Sequence, residues 1–174
     1  SFGIKPQTSV GYLLENDDKS QSPPELNRFT GSGGISNAFV SIGFELFKNW
    51  GFGISSSYAF GNLNHYHTKI LEDVELYTTV SSESSVSGLD YNFSTAYQKT
   101  FGEKITLYTG IIYQPEANYT SQNNQTINTI NPNGNFGGDS EIIDLSTMGL
   151  KETNIKIPKS ISFGLGFGED KKWY

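Results

Sequence analysis

The feature that most constrains this chain is a two-residue alternation of large apolar and small side chains, sustained over long runs. From Ile35 to Phe47, Ala38, Val40, Ile42, Phe44 and Leu46 share one face, opposite Asn37, Phe39, Ser41, Gly43 and Glu45. Next, Trp50, Phe52, Ile54, Tyr58 and Phe60 oppose Gly51, Gly53, Ser55, Ser57, Ala59 and Gly61. The pattern returns in Leu89–Gln98, Ile105–Gln114 and Ser160–Gly168, with Tyr108 and Ile112 as apolar exceptions on the small face. At the start, Phe2 and Ile4 are followed by Val10, Tyr12 and Leu14, with Pro6 marking a bend or edge between them. A period of two specifies β-strand. The runs extend over about 9 to 13 residues, whereas strands of soluble domains average about 5 to 6 and bilayer-spanning strands need about 9 to 11.

The connections alternate as regularly as the residues do. Lys48-Asn49, Phe101-Gly-Glu-Lys104 and Gly168-Glu-Asp-Lys-Lys172 are short enough for tight hairpins, whereas 15–34, 62–88 and 116–158 are long and polar. In an antiparallel meander successive connections lie at opposite ends, so all short turns fall at one rim and all long loops at the other. Outer-membrane barrels have this asymmetry, with short periplasmic turns and longer extracellular loops. Phe47, Trp50, Phe101, Trp173 and Tyr174 cluster beside the short turns, where an interfacial aromatic girdle belongs.

A soluble β-sandwich would also alternate, but its outward face would carry Lys, Glu and Arg rather than Gly and Ser. Nineteen glycines among 174 residues, with twelve Phe and ten Tyr, argue against helix. No apolar run reaches the length of a spanning helix, and the mean hydropathy of −0.41 suits strands whose second face avoids lipid. A net charge of −6 opposes nucleic-acid binding, and the absence of cysteine removes disulfides, thiolate metal sites and thiol nucleophiles.

Strands are expected to start near Phe2, Arg28, Trp50, Ser87, Lys104, Lys156 and Lys172. Seven strands cannot close, because bacterial single-chain barrels have even strand numbers and an open edge in lipid leaves backbone groups unpaired. The expected fold is therefore all-β: an antiparallel up-and-down transmembrane barrel of which residues 1–174 form about half, as one partial domain.

Three stretches carry a family likeness. Ser9-Val-Gly-Tyr12, Phe29-Thr-Gly-Ser-Gly-Gly34 running into Ile35–Phe44, and Trp50–Asn62 resemble FadL-type outer-membrane proteins of Bacteroidota; Ile157–Trp173 is similar to a late hairpin of that group. The likeness covers most of the chain and lies in strand grammar and glycine placement. It implies a 14-stranded barrel in the bacterial outer membrane that takes up hydrophobic compounds by passive diffusion, with outer-membrane lipid and an apolar small molecule as its partners. It transfers no ligand-contacting residue, and the family's plug segment has no counterpart in 1–174. A branch of the same fold implies another role: an accessory barrel that docks a protein partner in a type 9 secretion or gliding assembly.

The residues themselves offer little chemistry. Phe39, Tyr108 and Ile112 point apolar groups to the small face and are the candidates for ligand contact in a lumen. His65 and His67 share a strand face ahead of Glu72, Asp73 and Glu75, but two histidines without a fixed third ligand make a weak metal site. No Ser or Asp stands placed by histidine as in a hydrolase. Asn133-Gly-Asn-Phe-Gly-Gly-Asp139 lacks the strand, helix and Lys-Ser/Thr of a phosphate loop, and Asp139, Glu141 and Asp144 lack the spacing of a calcium loop. No catalysis, metal or cofactor is expected. Pro115 and Pro158 cannot donate to a ladder and are expected to end strands, although a missing bond at Pro115 would also suit lateral exit of an apolar solute.

Overall fold

A computed structural model describes residues 1–20, 22–102, 105–131, 133 and 135–169. Among them the chain forms nine strands and no helix: β1 (Phe2–Asp18), β2 (Glu25–Phe47), β3 (Trp50–Leu71), β4 (Tyr77–Phe101), β5 (Ile105–Gln114), β6 (Ala117–Ile130), β7 (Phe136–Ile143), β8 (Glu152–Ile157) and β9 (Ser160–Glu169). All pairings are antiparallel, and the strands make one sheet curled into a half-barrel.

The nine strands stand in six columns. β1 to β4 are one column each. β5 pairs with the lower part of β4 and β6 with its upper part, so β5 and β6 lie end to end; β7, β8 and β9 line the far side of that column. The apolar alternation becomes a continuous belt. Ile42, Ile54, Phe93 and Tyr113 are successive register partners, and Tyr113 is followed by Ile161. These side chains are exposed, Ile42 at 69% and Ile161 at 73%, as lipid-facing residues must be in an isolated chain. Trp50 at the lower rim packs on Tyr97 with ring centroids 5.0 Å apart, and Lys99 lies over the Phe101 ring at 5.3 Å. That is where aromatic rings and long cationic stems meet the bilayer interface.

The turn at Lys48-Asn49 is tight as expected, with Asn49 in the left-handed region at φ 71°. Pro6 sits on an edge strand, and the β1–β2 register shifts between Pro6 and Thr8, leaving Gln7 bulged. The turn at 101–104 falls partly, and the expected start at Lys172 with Trp173 and Tyr174 wholly, outside the described residues.

The upper connections differ from the long loops expected at 15–34, 62–88 and 116–158. β1 and β2 stay paired up to Asp18 opposite Glu25, β3 and β4 up to Lys69 opposite Thr78, and most of 116–158 is β6, β7 and β8. These extensions carry Ser, Thr, Asn and Gln on both faces. With neither face in an apolar medium they show no alternation, and only the ladder of neighbouring strands specifies them.

Candidate docking surface

The face opposite the belt carries three levels of structure. At the lowest, β2, β3, β4 and β5 present Gly43, Gly53, Ser55 and Ser94, which with Ile112 border a groove of about 370 Å³. A Cβ added at Gly164 or Gly166 in β9 would meet nothing within 4 Å. This trough is wide because these residues, Ile112 apart, are glycine and serine.

Above the trough the face is filled. The Tyr119 hydroxyl on β6 donates to Asp90 Oδ2 on β4 at 2.6 Å, and both residues are buried. Tyr119 lies flat on Gly88, its register partner: a Cβ there would stand 2.1 Å from the ring, so only glycine seats it. Ala59, Val86 and Ala117 pack with Tyr119 as the only buried apolar cluster among the described residues. Asn37 is buried too, and its Oδ1 has no hydrogen-bond partner.

The third level lies beyond the belt. Tyr12 sits over Gly31 with its hydroxyl 3.1 Å from His65 Nδ1, and Phe29 stacks on His67 at 4.4 Å, whose Nε2 is 2.7 Å from Asn27 Oδ1. Lys69 and Glu25 pair at 2.6 Å, and this partner holds the Glu25 carboxyl below the usual carboxylate range.

The sequence-derived candidates are spread over these levels. Phe39 takes the Lys5 ammonium over its ring at 5.5 Å, Tyr108 borders a separate groove of about 490 Å³ with Glu45, Asn49 and Gln98, and Ile112 lines the trough. The three share a face but no pocket. His65 and His67 are engaged by Tyr12, Phe29 and Asn27, and no group of three metal-ligating side chains occurs among the described residues. Asp144 accepts from the hydroxyl and backbone N–H of Ser146 across its own turn, which lowers its pKa, while Asp139 and Glu141 lie on β7.

Sequence reasoning passed over Asp90, Tyr119 and Asn37. Asp90 alone carried a signal, as a charge among lipid-facing Leu89, Tyr91 and Phe93. Its partner sits 29 positions away, within a stretch expected to be loop.

A face with this make-up supports scaffolding better than chemistry: Tyr119 and Asp90, like His67 and Asn27, are spent on each other. Comparison with known proteins decides the family. A family model described as BamG matches residues 1–174. The chain belongs to the BamG family. No curated protein and no solved structure matches it. Membership in the BamG family overturns the FadL resemblance, and with it the porin-like, transporting barrel that takes up hydrophobic compounds. The physical reason is that period-two strands, small lumen residues and short turns at one rim are demanded of any strand-built membrane protein, so they could not separate one barrel family from another. The BamG family is one of components of the BAM complex, which places the chain in the region of the outer membrane.

Proposed function

We propose that this chain is an accessory outer-membrane component of the BAM complex that docks a protein partner and neither transports a solute nor catalyses a reaction. The observation that carries this reading is the family match over the whole chain. It agrees with the docking alternative that the family resemblance implied, with the BAM complex in place of a secretion or gliding assembly.

The fold supplies what docking requires. The belt holds the sheet in lipid, and β2, β3 and β4 run on past it without interruption, as strands of 23, 22 and 25 residues. A ladder of this length is a stiff support for a surface held clear of the bilayer. Its polar groups are Ser, Thr, Asn and Gln, which suit the hydrogen-bonded, wet contacts of a protein interface. The test is affinity purification of the full-length protein from native outer membranes under mild detergent. Stoichiometric recovery of BAM components is expected. Recovery of the protein alone, with apolar solute bound on its concave face, would overturn the proposal.

A further inference from the structure

Two breaks in the sheet fall at one level. β5 ends at Gln114 and β6 resumes at Ala117; β8 ends at Ile157 and β9 resumes at Ser160. The register of β5 with β9 and that of β6 with β8 run on the same count across the break, which sets Pro115 opposite Lys159 and Glu116 opposite Pro158. On the other flank, β4 has no ladder partner in this column from Leu89 to Asn92. Neither proline can donate a ladder bond, so the gap does not close by small adjustment. Facing parity changes here as well: even-numbered residues of β5 share the concave face, whereas odd-numbered residues of β6 do. Two adjacent columns thus lose their backbone continuity along one line, beside an unbroken β4, in the upper part of the lipid-facing belt.

We infer that this line is a hinge, about which the leaf formed by β6, β7 and β8 tilts relative to the belt formed by β5 and β9, and that the Tyr119–Asp90 hydrogen bond is its latch. Asp90 lies in the stretch of β4 that pairs with β3 alone, and Tyr119 is the third residue of β6, at the foot of the leaf. Their bond therefore crosses the seam, and at 2.6 Å with a carboxylate acceptor it belongs to the strong, charge-assisted class. Lys156 and Glu116 pair at 2.9 Å beside the break, but both are largely solvent-exposed, so this contact holds the leaf weakly. Columns β2 and β3 have no comparable break, and from Trp50 to Lys69 β3 pairs with β4 without a register shift. Motion is thereby confined to the outer two columns.

The chain has no cysteine, so paired labels can be introduced cleanly. Nitroxide pairs at Asn154→Cys with Phe163→Cys, spanning the seam, and at Ile54→Cys with Asn62→Cys, within unbroken β3, would be compared by pulsed electron resonance on the full-length protein in lipid nanodiscs. Tyr119→Phe is expected to widen the distance distribution across the seam at least twofold and leave the β3 pair unchanged. Equal widths in parent and variant, or broadening of both pairs together, would overturn the hinge. Where Tyr119→Phe does not assemble, Asp90→Ala removes the acceptor and must give the same seam-only broadening for the inference to stand. The readout is independent of which partner the chain docks.

Discussion

The two halves of β3 belong to one uninterrupted strand of 22 residues yet obey different rules. Below, Phe52, Ile54, Tyr58 and Phe60 face outward as a lipid-facing row, and their opposite face is Gly, Ser and Ala. Above, the outward row is Asn62, Asn64, Tyr66, Thr68 and Ile70, and the inward one holds Leu63, His65, His67 and Lys69. The backbone ladder is the same in both. What differs is the solvent: hydrocarbon forbids any unpaired backbone group or stray charge, whereas water tolerates both. The lower half is therefore specified by side-chain pattern and the upper half by its neighbours.

The largest expected effect breaks the comparison at its centre. Ile54→Arg places a guanidinium near the middle of the belt and is expected to destabilise the folded protein by about 2–4 kcal/mol in lipid. Asn62→Arg, on the same face of the same strand, should cost under about 0.5 kcal/mol, as surface changes do. Denaturant titration in liposomes compares them directly; equal losses would mean that the belt does not end near Phe60.

A smaller effect sharpens the contrast between crowded and open glycines. A Cβ at Gly61 would stand 2.1 Å from the Gly34 carbonyl oxygen, a backbone atom with little room to yield, beside Gly33 at φ 119°. Gly61→Ala is expected to cost about 1–3 kcal/mol through overpacking. Gly164→Ala, with nothing within 4 Å, should change stability by under about 0.5 kcal/mol. The same unfolding assay reads both, and an equal cost at Gly164 would show that the trough is filled.

The smallest effect is a pH dependence confined to the upper half. Glu25 has a lowered pKa, chiefly through Lys69, so its contribution is present above the unfolded carboxylate value and is lost as pH falls through the folded one. Both partners are solvent-accessible, so the effect is local and slight. Hydrogen-exchange protection at the β2–β3 tip, taken relative to the intrinsic amide rate at each pH, should fall between neutral and acidic pH in the parent, and Glu25→Gln should abolish that fall.

Much of the lower half was legible in the residues. Val40 to Leu46, Phe52 to Phe60, Leu89 to Phe93 and Ile161 to Phe167 alternate because one face must be greasy and the other slim, and Lys48-Asn49 marks its own turn. The upper half was not. Ser81 to Ser87 and Gln122 to Asn128 read as polar loop, because period two announces a strand only when one face is buried or in lipid. The family was not legible either, since belt and trough are common to all strand-built membrane proteins.

By itself, then, the amino-acid order determined that the chain is an antiparallel sheet with a lipid-facing belt, because hydrocarbon acts on each side chain separately and leaves its mark position by position. Tertiary structure alone decided how far the strands continue past the belt, that Pro115 and Pro158 interrupt neighbouring columns at one level, and that Tyr119 closes over Gly88 onto Asp90. Those features depend on register between segments distant in the chain, and register is a property of pairs that no single run of residues contains.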